Sequence, residues 1–148
     1  MADVPVATRG FTLIELLVTL SIAAILLTIA VPNFITFLQN NRLATQANDL
    51  VTMLNYARSE AVKRNQRVTV CSRATDTSCS GSTTWDTGLL VFVDADGDGA
   101  VAAAGDVVQV RQGLEGSNTL RAGVARITYQ SNGFRAAAGA DDVFRLCD

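Results

Sequence analysis

The chain has 148 residues and a net charge of −2, enough for one domain of ordinary size beside a long apolar N-terminal run. It contains no histidine, so the commonest general base and metal ligand is missing, and eleven of its twelve cationic side chains are arginine. No nucleophile stands beside a base in the sequence, and an enzyme is not expected. The cysteines, Cys71, Cys79 and Cys147, are odd in number, which implies a free thiol, an intermolecular bond, or a partner outside this sequence.

Met1 to Gly10 is polar, broken by Pro5 and basic at Arg9. From Phe11 to Val31 the only ionisable residue is Glu15, and Thr12, Thr19, Ser21 and Thr28 are the only other polar side chains. A bilayer needs roughly 20 apolar residues, so this run spans one, with Arg9 holding the preceding end in the cytoplasm. An acid costs about 2.5–3.5 kcal/mol at mid-membrane. A plain anchor has no reason to carry Glu15. A secretory signal fits poorly, because the run exceeds the usual length of about 7–15 residues and no A-x-A-like site follows it.

Pro32 removes one helix hydrogen bond and is expected to bend or locally melt the helix. Periodicity resumes directly behind it. Leu43, Ala47, Leu50, Leu54, Ala57 and Ala61 form a stripe at helical spacing, predicting a helix to about Lys63 that docks one face. The small alanines favour docking onto a sheet.

From Arg67 the period changes to two, and Arg67 to Cys71 reads as a strand. Ser72 to Thr84 is rich in Ser, Thr and Gly and reads as a loop. Leu89 to Val93 is an apolar run typical of a buried central strand. Asp94 to Gly105 is a second loop. Val107 to Arg111, Ala125 to Gln130 and Val143 to Cys147 read as further strands, with a tight turn at Ser131-Asn132-Gly133. The fold class is α+β, a long N-terminal helix packed on an antiparallel sheet.

Gly10-Phe11-Thr12-Leu13-Ile14-Glu15-Leu16-Leu17 closely resembles the class III signal of type IV pilins and type II secretion pseudopilins. The resemblance implies a pilin fold and cleavage by a prepilin peptidase between Gly10 and Phe11, with N-methylation of Phe11. It also implies an assembly role for Glu15, pairing with the terminal amine of a neighbouring subunit. Physics agrees, since a buried carboxylate persists only when paired. The expected organisation is a leader over 1–10, a membrane and assembly helix over 11–31, and a periplasmic domain over 32–148. That domain would carry an amphipathic helix to about 65 and then strands.

The rest of the chain resembles the minor-pilin branch of GspH/FimT type. The resemblance rests on Leu54-Asn55-Tyr56-Ala57-Arg58-Ser59-Glu60-Ala61-Val62, on Val68-Thr69-Val70-Cys71, on Trp85-x-x-Gly88-Leu89-Leu90-Val91-Phe92-Val93-Asp94, and on Leu146-Cys147-Asp148. Members usually continue past that last segment into a strand with a Gly-Arg-x-Arg motif, whereas this chain ends at Asp148. The resemblance implies a minor pilin that helps initiate or tip a type IV pilus. The alternatives are an H-type minor pseudopilin of type II secretion and a pilus-associated DNA-binding subunit. Other pilins, the prepilin peptidase and the bacterial inner membrane are the implied partners, with a single pass and the C-terminal domain in the periplasm.

In that oxidising compartment a Cys71–Cys79 disulfide is expected to staple the first loop, with Cys71–Cys147 as the rival pairing. Asp94, Asp96 and Asp98 match the first half of an EF-hand loop, but Gly105 stands where a bidentate glutamate belongs. An acidic turn is the favoured reading. No cofactor is expected, and calcium would bind weakly at most. Arg58, Lys63, Arg64, Arg67 and Arg73 form a basic cluster that could touch phosphate or DNA. With the acidic loop opposing it, binding would be weak and salt-sensitive.

Overall fold

Helix α1 (Leu13–Arg64) opens on a threonine that caps it. The Glu15 N–H donates to Thr12 Oγ1 at 3.3 Å, half of a Thr-x-x-Glu capping box. In the computed structural model of the chain, residues 10–136 and 143–148 are described. The expected leader therefore lies, except for Gly10, outside the described residues. The chain divides into two compact units, Met1–Asn40 and Asn41–Asp148.

In the first unit the helix is apolar on every side, with Leu13, Ile14, Leu20, Ile25, Leu26 and Ile29 all exposed. Its hydroxyls turn back onto their own helix. Thr19 donates to the Leu16 carbonyl, Ser21 to Leu17 and Thr28 to Ile25, at 2.7–2.9 Å. Each satisfies a polar group that lipid could not. Pro32 lies inside the helix, and the expected local melting is not seen. Two side chains reach back across this turn, Asn33 Nδ2 to the Ile29 carbonyl and Thr36 Oγ1 to the Pro32 carbonyl. These bonds go to neighbouring carbonyls, not to that of Thr28, which is the acceptor that Pro32 leaves without its usual donor.

In the second unit the helix buries Leu50, Met53, Ala57, Glu60 and Ala61. This face is turned from the expected stripe: Met53 is buried and Ala47 is exposed. The reason is polar. Gln46 Nε2 donates to the Glu115 carbonyl, Asn118 donates to Gln46 Oε1, and Arg111 pairs with Asp49. These bonds pull the Gln46–Asp49–Met53 side onto the domain.

The main sheet has the order β2-β1-β3-β4, with β6 also pairing β1, and every pair is antiparallel. Its strands are β1 (Val68–Thr75), β2 (Ser78–Cys79), β3 (Gly88–Val93), β4 (Val107–Gln112) and β6 (Arg126–Tyr129). The short strands β5 (Thr119–Ala122) and β7 (Phe144–Cys147) form a second sheet. Alternation divides β1 and β3 between two faces. Val68, Val70, Leu89 and Val91 join Leu50, Met53, Ala57 and Ala61 in the core. Cys71, Leu90 and Phe92 form a smaller cluster of their own, with Cys79, Val101, Val107 and Val110 against it. Register shifts where β4 passes Val91 and Phe92, and the irregularity sends Val108 to the helix-side core while Val107 and Val110 stay with the smaller cluster.

The strands depart from the sequence expectation in two places. Strand β1 continues four residues past Cys71, and β2 returns beside it, so the expected Ser72–Thr84 loop begins as a hairpin. Strand β5 has one buried residue, Leu120, and so carried no pattern. It forms because Trp85 N–H bonds the Leu120 carbonyl, Ala122 N–H bonds Thr83, and β7 pairs along it. Trp85 is fully buried, donates Nε1–H to the Val124 carbonyl at 2.9 Å and meets Phe144 edge-on at 5.0 Å.

Candidate functional site

Two places carry the sequence-predicted residues, one in each unit. At the N-terminus Gly10 and Phe11 precede the helix, Phe11 is 86% exposed, and Glu15 lies in the first turn. The Thr12 cap marks the helix start, so the Gly10–Phe11 bond lies ahead of the helix. Glu15 then stands one turn inside an apolar rod.

In the second unit Cys71 and Cys79 are joined, with S–S at 2.04 Å and Cα–Cα at 5.7 Å, while Cys147 is free and exposed. Hydroxyls extend the link. Ser72 Oγ lies 2.6 Å from Ser80 Oγ and donates to the Ser82 carbonyl, which ties the returning chain to β1.

The residues of the basic cluster have different partners. Lys63 and Arg64 both pair with the nearly buried carboxylate of Glu60, at 3.3 and 2.6 Å. The Arg64 hydrogen bond, followed by Lys63, holds the Glu60 carboxyl below the ordinary value of 4.5 against the opposing effect of burial. Arg73 pairs with Asp76 and donates to the Thr87 carbonyl. Arg58 packs against Gly133. Arg67 donates to the Asp96 carbonyl. Three of the five, Lys63, Arg64 and Arg73, are thus paired with carboxylates of their own.

The acidic loop brings carboxylate oxygens of Asp94, Asp96 and Asp98 within 4.8 Å of one another. Asp94 is buried, and both its oxygens are occupied. Oδ2 accepts from Thr69 Oγ1 at 2.7 Å and Oδ1 accepts from Gly99 N–H. Asp96 and Asp98 accept from the backbone N–H groups of Asp98 and Ala100. Such bonds are the ordinary chemistry of an acidic turn. The loop is also approached by cations. Gly97 and Gly99 have positive φ, and a Cβ at either would collide with the guanidinium of Arg67 or Arg126. Arg126 is the residue that sequence proximity could not have placed here. It stands beside the loop because β6 pairs with β1.

A family model described as type II transport protein GspH matches residues 46–148, and one described as the prokaryotic N-terminal methylation motif matches residues 7–31. No curated protein sequence matches the chain significantly. Among solved structures, two crystal forms of the type IV minor pilin FimU from Pseudomonas aeruginosa are similar. One is 27% identical, with a TM-score of 0.52 over 67% of each chain. The other is 25% identical, with a TM-score of 0.53 over 70% of this chain and 73% of that one. The helix on an antiparallel sheet is thus the pilin fold, a scaffold of structural subunits rather than of enzymes. Family model, methylation motif and fold agree, and the chain belongs to the GspH/FimT family of type IV pilin-like proteins.

Proposed function

We propose that this chain is a minor pilin of a type IV pilus, cut after Gly10, methylated at Phe11 and held in the inner membrane until it joins the initiating or tip end of a fibre. Its C-terminal domain then stands in the periplasm, and other pilins are its partners along the helix. The observation that carries the reading is the likeness to the type IV minor pilin FimU, over a domain that shares its fold at 27% identity. Glu15 supports it, because an acid in an apolar helix that stays in lipid alone would be a pure cost. The description of the matching family model favours a second reading, an H-type minor pseudopilin of type II secretion.

One deletion strain separates them. Loss of surface pili with protein secretion intact is the expected result, and lost secretion with normal piliation would establish the second reading. Intact-mass analysis of membrane-extracted protein tests processing in the same material. The expected mass is that of a chain starting at methylated Phe11, and retention of Met1 to Gly10 would overturn it.

A further inference from the structure

Beside the acidic loop, β6 and the turn after it open a groove of about 350 Å³, and arginines dominate its polar lining. Arg67, Arg126 and Arg135 reach it from three different stretches of chain, with Thr128 between them. Among the described residues no carboxylate lies within ion-pair distance of the Arg67 or Arg126 guanidinium. Arg67 spends one N–H on the Asp96 carbonyl, and among the described residues the Arg126 side chain makes no hydrogen bond. Among the described residues Arg64, Arg73, Arg111 and Arg121 are each paired with an acid.

We propose that this groove binds a tetrahedral oxyanion of the phosphate class. A carboxylate offers two oxygens, which a single planar guanidinium satisfies in bidentate fashion. Several guanidiniums arriving from separate stretches of chain match a ligand with more oxygens and more charge. Glycine at 97 and 99 leaves the Arg67 and Arg126 guanidiniums room against the loop. The hydroxyl chain beneath the groove is already oriented. Thr69 gives its proton to Asp94, so in the 2.7 Å contact between Thr69 and Thr128 it is Thr128 that donates. Thr128 Oγ1 has then spent its proton and has only lone pairs to offer, so the guanidiniums must supply the donors. The exposed Asp96 and Asp98 carboxylates oppose the charge and keep affinity moderate.

The test uses the detergent-solubilised full chain and the fluorescence of Trp85, the only tryptophan, to follow melting. Sodium phosphate is titrated against sodium chloride at matched ionic strength, with glycerol 3-phosphate as a parallel arm. A ligand that binds only the folded state raises Tm with concentration. The expected result is a saturable rise with phosphate and none with chloride. In Arg126→Gln the half-effect concentration should rise about tenfold or more, as when one charge-assisted hydrogen bond is lost. Arg145→Gln, on β7 and outside the groove lining, should behave as wild type. Binding of glycerol 3-phosphate would assign the site to an esterified phosphate, and binding of inorganic phosphate alone to the free anion. A flat phosphate titration, or an equal loss in Arg126→Gln and Arg145→Gln, would overturn the proposal. If Arg126→Gln alters the melt without ligand, phosphorus NMR line broadening on the unheated protein gives the same comparison.

Discussion

Glu60 is a carboxylate that the fold has nearly buried and yet kept charged, and Arg64 is what allows it. Its folded pKa lies below its unfolded one, so its contribution is present above about pH 4.5 and is lost as pH falls through the folded value. Glu60→Gln should therefore lower stability at neutral pH and flatten the acid limb of the unfolding curve. Trp85 fluorescence followed from pH 7 to 3 checks this, and unchanged acid sensitivity would dissociate the limb from Glu60. The disulfide is the other residue-scale device. Closing so short a loop is worth about 2–3 kcal/mol on the chain-entropy model. Cys79→Ser should lower stability by that order, read from denaturant midpoints. Non-reducing peptide maps of the wild type should link Cys71 to Cys79 and leave Cys147 unlinked.

The elements show how far local pattern reaches. Helix α1 and strands β1, β3, β4, β6 and β7 were legible because each either repeats at its own period or buries a continuous run. Strands β2 and β5 were not, since Ser78-Cys79 and Thr119-Leu120-Arg121-Ala122 owe their extension to partners distant in sequence. The buried helix face departs from the apolar stripe by part of a turn because polar contacts at Gln46 and Asp49, not apolar spacing, decide it. At the candidate sites the motif residues were legible, whereas the pairing of β6 with β1 that brings Arg126 to the acidic loop was not. Two predictions belong here. Ala57 is fully buried between helix and sheet, so Ala57→Leu should overpack the contact and cost about 1–3 kcal/mol in denaturant unfolding. The acidic loop has Asp94 already turned inward onto Thr69 and Gly99. Calcium titrated by calorimetry should bind no more tightly than about 10⁻⁴–10⁻³ M, and a micromolar constant would contradict the turn assignment.

For the molecule as a whole, the two units meet two solvents. The domain after Asn40 buries its core among its own strands, while the helix before it leaves its leucines and isoleucines uncovered. Lipid or other apolar helices must cover them, since water disfavours so large an apolar surface. In lipid alone Glu15 raises the cost of insertion; among neighbouring helices it stabilises only where a cation meets it. Cleavage before Phe11 would create such a cation, an ammonium four residues from Glu15 on each processed copy. Glu15→Ala should then leave the membrane-bound precursor and its processing at wild-type levels, because the substitution removes a polar group from lipid. Assembly should suffer instead. Removing one partner of a buried pair costs about 3–5 kcal/mol, so incorporation into sheared fibres should fall by more than about tenfold. Quantitative immunoblots of membrane and sheared fractions from the same cells read both quantities. A wild-type level of the variant in the sheared fraction would remove the amine–carboxylate pairing from the assembly mechanism, whereas parallel losses from both fractions would trace the defect to insertion.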